Sequence, residues 1–224
     1  MLKRMIIPLL FGLGGIAILV SLGLWQIQRL AGKEAMLADI DARIVGDPTE
    51  LPATADPERE RYLPVAATGT ITSDEVHVLV SVKRRGAGYR VISAFETDGR
   101  RVLLDRGFIP TDQKDASRPA VEAEIMGNLH WPDEIDSYTP EPDTTRDIWF
   151  ARDVPALATA LEAEPLLIVL RETSEMNSPV SPLPVDTSTI PNDHLQYAIT
   201  WFSLAALWMG MTLYLLWRIR RRTI

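Results

Sequence analysis

His194, Tyr197 and Trp201 follow one another at i, i+3 and i+7, the spacing that sets three side chains on one helical face. Near the other end of the chain Gln26, Arg29 and Lys33 repeat that spacing. A neutral imidazole can ligate the iron of a metalloporphyrin, and arginine or lysine can pair with the propionates. The same residues also fit a plainer role. His194 would then end a helix or bond at headgroup level, with Tyr197 and Trp201 as belt aromatics at a membrane surface. Asp193 bears on the choice. A carboxylate beside an imidazole either favours the protonated ring, which cannot ligate, or accepts a hydrogen bond from one ring nitrogen and orients a neutral ligand.

Other chemistry finds little support. His77 alternates with Val76 and Val78 and reads as a surface residue of a strand. His130 stands beside Trp131 near a strand end. Neither has a second histidine at ligand spacing, and no His-x-x-x-His, Gly-x-Ser-x-Gly or Ser-x-x-Lys pattern occurs. The absence of cysteine removes disulfides, thiolate metal sites, iron–sulfur clusters and cysteine nucleophiles. Copper delivery needs Cys, His or Met clusters, and the one close methionine pair, Met209 and Met211, lies in an apolar run. The composition therefore points away from an enzyme.

Two elements must position the clusters. Residues 6–25 and 198–217 are runs of 20 uncharged residues, each about 30 Å long as a helix, the thickness of a bilayer core. The first is too long for the apolar region of a signal peptide. We expect a retained anchor. Lys3 and Arg4 precede the first run, while Arg218, Arg220, Arg221 and Arg222 follow the second. The positive-inside rule then places both termini in the cytoplasm, the four arginines outweighing Arg29 and Lys33 on the far side. Pairs of small residues four apart, Ala17 with Ser21 and Ala206 with Gly210, are expected to pair the two helices.

Every one of the 30 acids lies between Glu34 and Asp193. Six of the 23 bases sit at the termini, so 17 remain against 30 acids, a balance of −13. Such a segment repels nucleic acid and reads as a solvated extracytoplasmic (periplasmic) domain over residues 26–196. Residues 26–44 continue the first span as a helix, and 47–57, with three prolines, form a linker. Strand patterns run over 64–72, 75–83, 88–96, 100–108 and 121–131. Turns fall at Thr72-Ser73-Asp74, Arg85-Gly86-Ala87-Gly88 and Thr97-Asp98-Gly99. A short helix is expected over 153–164, with Pro155 in its first turn, then a strand over 166–170 and an irregular return over 177–191. Arg84-Arg85 and Arg100-Arg101 read as solvated strand ends. The fold class is a two-span α-helical membrane anchor plus an antiparallel α+β extramembrane domain, with a partly open barrel as one way to close it.

Three blocks carry a resemblance. They are Leu22-Gly23-Leu24-Trp25-Gln26 with Arg29 and Lys33; Gly88-Tyr89-Arg90-Val91 with 102–110, which holds Asp105-Arg106-Gly107; and 191–198 with Thr200-Trp201-Phe202. Tyr62, Pro64-Val65 and Thr68-Gly69 also fit. In this order the blocks resemble the surfeit locus protein 1 family, assembly factors of haem-copper cytochrome c oxidase. The chain departs from the family at Asp193, where asparagine is usual, and at Phe108, where tryptophan is usual. The resemblance implies a bacterial inner-membrane protein that binds haem a or aids its insertion into the catalytic subunit of the oxidase. His194 would be the axial ligand, with Arg29, Tyr197 and Trp201 around the haem. Implied partners are that subunit, the lipid bilayer and haem a synthase. The other role that fits is a cofactor-free chaperone or scaffold for the same subunit. Arg106 is a candidate contact to the partner, or else an ion pair that supports the fold. For topology, a reporter fused near residue 120 should be active outside the cytoplasm and one fused after Ile224 active inside; the reverse pattern would refute the arrangement.

Overall fold

The computed structural model describes residues 2–188 and 190–221; Arg222, one of the terminal bases named above, lies outside them. Helix α1 runs over Leu2–Ile44 and helix α3 over His194–Arg221. Between them come β1 (Pro64–Val82), β2 (Gly86–Thr97), β3 (Arg100–Pro110), β4 (Val121–Leu129), α2 (Val154–Ala160) and β5 (Leu167–Thr173). The chain divides into two compact units. One is α1 up to Asp39 with the chain from Thr187 onward; the other is Ile40–Asp186.

In the helical unit, both helices are long and apolar enough to cross a membrane. Ile7, Leu10, Phe11, Ile18, Leu207 and Leu213 are exposed. Apolar surface on this scale, on helices that satisfy their own backbone hydrogen bonds, belongs in lipid rather than water. The protein is a membrane protein. The helices are antiparallel and meet along a glycine stripe. A Cβ on Gly12 would fall 2.2 Å from Thr212 Cγ2, one on Gly15 2.3 Å from Trp208 Nε1, and one on Gly23 2.7 Å from the Phe202 ring. Ala198 and Ala205 are buried in α3. The small residues expected at the seam face elsewhere. Ala17, Ser21, Ala206 and Gly210 are exposed, and the Ser21 hydroxyl donates to Ala17 O in its own helix. Four-residue spacing identifies a face but not which of several faces meets the partner. The stripe 12, 15, 19, 23 buries glycine against large side chains and so permits the closest approach.

In the second unit, β1 is one bent strand rather than two. The residues expected to turn, Thr72-Ser73-Asp74, instead sit at a register shift between Ile71 and Glu75. Thr72 Oγ1 donates to Ala94 O and accepts from Asp74 N, so the irregularity is bonded within the sheet. The Asp98-Gly99 turn is as expected, both residues having positive φ (49° and 73°), the signature of a tight hairpin. The strand order is β1-β2-β3-β5-β4, and β4 pairs back to β1, so each strand has a hydrogen-bonded neighbour on both sides. The expected all-antiparallel sheet is corrected to a mixed one: β3 and β5 are parallel. A closed order of five strands cannot alternate direction throughout, so at least one neighbouring pair must be parallel.

Closure buries both faces of β3 and β5, which explains their unbroken apolar runs. Val65, Ile71, Phe95, Leu104, Ile125 and Ile168 pack on one side. Val78, Ile92, Leu103 and Val169 pack on the other, beneath Trp149 and the α2 residues Val154 and Leu157. Asp153 caps α2, its side chain accepting from Ala156 N, with Pro155 in the first turn. The α1 end also has partners: Ile44 O accepts from Asn128 Nδ2 and from Arg171 Nη1, each at 2.9 Å, where a helix otherwise leaves carbonyls unpaired.

Asp105 is fully buried in β3. Its Oδ2 accepts from Arg90 Nη1 at 2.7 Å and Arg152 Nη1 at 3.2 Å, and its Oδ1 accepts from Gly107 N at 3.1 Å. Gly107 has φ +114°, and a Cβ there would fall 2.2 Å from Ser181 O, so only glycine fits. Asp105→Asn takes the counter-charge from the enclosed Arg90 guanidinium and leaves Arg152 with Glu134 alone. We expect a loss of about 3 kcal/mol of domain stability, read as a lower urea or thermal midpoint, while Glu141→Gln on the surface leaves the midpoint unchanged.

Candidate functional site

The first turn of α3 starts at His194, with Tyr197 N donating to Asp193 O at 3.1 Å. The His194 ring bonds across to α1: its Nδ1 lies 2.8 Å from Gln26 Oε1. Gln26 is only 8 % exposed. It continues the seam stripe three residues beyond Gly23, so the contact closes the outer end of the helix pairing. An amide oxygen only accepts, so Nδ1 carries the proton in this contact and Nε2 is the nitrogen left with a lone pair when the ring is neutral. The ring therefore takes its partner from Gln26, a third choice beside the two considered for Asp193. The amide two residues before His194 supplies a further polar atom, since Asn192 Oδ1 is buried with no hydrogen-bond partner among the described residues.

Arg29 is exposed, its guanidinium 5.9 Å from the centre of the Trp25 ring. Lys33, one turn further on, and Trp201 are half-buried. Tyr197 is 55 % exposed. Within the helical unit there is thus an oriented imidazole, an orphan buried acceptor two residues before it in the chain, exposed aromatic surface, and cations on the neighbouring helix. That donor set fits a haem: one imidazole nitrogen for iron, and Arg29 and Lys33 for carboxylates.

Arg106 lies elsewhere, in the sheet unit. It is 1 % exposed, and its Nη2 donates to both carboxylate oxygens of Glu175 at 2.9 and 3.0 Å. Its guanidinium is inside, so an ion pair and not a surface contact is what this side chain makes. Glu75 Oε2 stands 4.0 Å from Arg106 Nη1.

His77 corrects the surface reading: it is 5 % exposed. Strand alternation alone does not separate inside from outside in a sheet covered on both faces. Its Nδ1 is 2.5 Å from Asp147 Oδ2, and its Nε2 is 3.0 Å from Arg118 Nη2. Burial alone would raise the Asp147 pKa, but the hydrogen bond and charge of His77 outweigh it and hold the carboxyl below its ordinary value. With both ring nitrogens engaged, the group ties the 143–149 segment to β1, where Trp149 N also donates to His77 O. His130 stacks on Tyr62, and burial with the nearby Arg152 charge pushes its pKa down to about 4. The charged groups around Asp105 extend through Arg152 to Glu134. Arg100 and Arg101, expected to be solvated, pair with Glu164 and with Asp74 and Glu96. Glu164 and Asp74 lie 64 and 27 residues from their arginines, so no local spacing announces them, while Glu96 is five residues from Arg101 across the β2–β3 hairpin.

Two apolar helices with a mixed-sheet domain carried between them in the chain define a two-helix membrane-anchored protein. The model of the SURF1 family matches residues 13–206, from before the first cluster to beyond the second, and the chain belongs to that family. It is similar to the SURF1-like protein of Monosiga brevicollis, with 32 % identity over 217 residues, covering 87 % of this chain and 82 % of that one. Similarity to Surfeit locus protein 1 of Xenopus tropicalis is 30 % over 213 residues, 83 % of this chain and 68 % of that one. The SURF1-like protein of Rickettsia bellii shares 29 % over 218 residues, with coverage of 92 % and 88 %.

Proposed function

We propose that this protein is an assembly factor for haem-copper cytochrome c oxidase that carries haem a, as cargo, to the catalytic subunit. The observation that carries the reading is the 2.8 Å contact between His194 Nδ1 and Gln26 Oε1. It joins the first and last of the blocks on which the family resemblance rests, and it directs Nε2 to be the ligating nitrogen. A hydrogen bond to the non-ligating nitrogen is the usual means of fixing a histidine ligand's tautomer and raising its basicity. Arg29 and Lys33 would pair with propionates, and Tyr197 and Trp201 would lie along the macrocycle. The haem, when bound, supplies the redox iron of the finished oxidase; the chain's own part is to hold, orient and release it, with no bond made or broken in the polypeptide.

In this reading the protein sits in a bacterial inner membrane, both termini in the cytoplasm and the sheet domain in the periplasm. Its partners there are the catalytic subunit and haem a synthase, which would supply the cargo. The charge split between the chain ends and the middle segment supports that orientation. The glycine seam favours a second reading. The same Gln26–His194 contact lies at the end of a glycine seam, where it would simply pin two helices, as a cofactor-free scaffold needs.

Haem retention separates the two. The wild-type protein purified from cells that make haem a should carry the pigment. His194→Ala should lose it while the protein stays folded. Gln26→Leu should weaken binding by about 10-fold or more, the cost of removing a ligand's orienting partner. Arg29→Ala should weaken it less and keep the spectrum. Wild-type haem content and spectrum in His194→Ala would remove that residue as the ligand, and a haem-free wild type would favour the scaffold.

A further inference from the structure

The β1–β2 hairpin ends in Lys83, Arg84 and Arg85, all exposed. The turn is well defined: Arg85 N donates to Val82 O at 2.9 Å, and φ is positive at Arg84 (72°) and Gly86 (87°). From Val76 to Phe95 there is no acid at all, although 30 acids fall between Glu34 and Asp193. Six other arginines of the domain, Arg90, Arg100, Arg101, Arg106, Arg118 and Arg152, each pair with a carboxylate. Among the described residues none of the three tip cations makes an ion pair; Arg85 only stands over the Phe108 ring, 5.9 Å from its centre. Three adjacent cations repel one another, and among the described residues no carboxylate neutralises them.

We propose that this hairpin tip docks on anionic phospholipid headgroups. Screening over about 8 Å at physiological salt makes the local cluster count for more than the domain's overall −13. A lipid surface fits the tip better than an acidic protein does. Protein interfaces are built on buried aromatic or arginine anchors and are depleted in lysine. Here the tip offers Lys83, two exposed arginines, Gly86 and Ala87, with no apolar side chain larger than alanine. A row of exposed cations suits a diffuse anionic plane. The domain is also joined in the chain to an apolar helix at each end, so its effective concentration near a bilayer is high. The proposal needs only that anchoring and is independent of the haem reading.

The chain has no cysteine, so Ser81→Cys, two residues before the tip, gives a unique site for a fluorophore. The labelled full chain is placed in nanodiscs of phosphatidylcholine, alone or mixed with phosphatidylglycerol. Each contains a trace of headgroup-quenching lipid. Quenching should be greater in the mixed discs and should fall as salt is raised. It should return to the phosphatidylcholine level in Lys83→Glu/Arg84→Glu/Arg85→Glu. Lys83→Gln/Arg84→Gln/Arg85→Gln, which avoids new carboxylates, should do the same. Removing three cations at roughly 5-fold each lowers the docked-to-free ratio by about 100-fold. Both variants should keep the wild-type unfolding midpoint. Equal quenching in both discs at every salt concentration would overturn the proposal. So would a tip indifferent to lipid whose charge reversal instead releases a co-purifying acidic protein.

Discussion

The close approach of α1 and α3 is the constraint on which the candidate site depends. Without side chains at Gly12, Gly15 and Gly23, the α3 residues Thr212, Trp208 and Phe202 rest directly on the α1 backbone. Apolar burial does not hold two helices together in lipid, because the tails are as apolar as leucine. Contact distance and polar bonds must do so. The stripe ends at Gln26, and there a side-chain hydrogen bond joins the two helices, with His194 as its other member. The histidine that could ligate iron is thus oriented by the same seam that pairs the spans.

The sheet unit solves a different problem. Its five-strand closed order forces a parallel pair and buries both faces of β3, and a strand buried on both faces leaves its polar residues no water. Asp105 and Arg106 are adjacent in β3 and find separate partners, two arginines for the first and Glu175 for the second. Removing one member of such a set strands the others, which makes these groups exacting without making them a binding site. The Asp105-Arg106-Gly107 block thereby has a structural explanation of its own, completed by the glycine against which Ser181 lies.

Much of this was legible in the sequence, and the exceptions have physical causes. The two spans, the helix that continues the first, the Asp98-Gly99 hairpin and the short helix with Pro155 in its first turn follow from local rules of periodicity and turn chemistry, although that helix stops at Ala160 rather than 164. The pairing face of the helices was not legible, because small residues at four-residue spacing occur on several faces and only packing selects one. The continuity of β1 through Thr72–Asp74 was hidden because a bonded irregularity and a turn use the same residues. His77 read as exposed because alternation assumes one wet face. At the site, His194 stood out by type and spacing. Its partner Gln26, 168 residues away in the chain, lay in the matching cluster, but the bond itself depends on the depth at which the helices align.

The most direct test of the account is therefore the haem a content of a variant altered in the seam and not at the histidine. Gly23→Ile places a side chain where Phe202 now lies, one turn from Gln26, and touches no proposed haem ligand. Purified from haem-a-producing cells, it should retain markedly less haem than wild type, with the sheet domain's unfolding midpoint unchanged. Full haem content with the wild-type spectrum would contradict the claim that helix pairing holds the ligand.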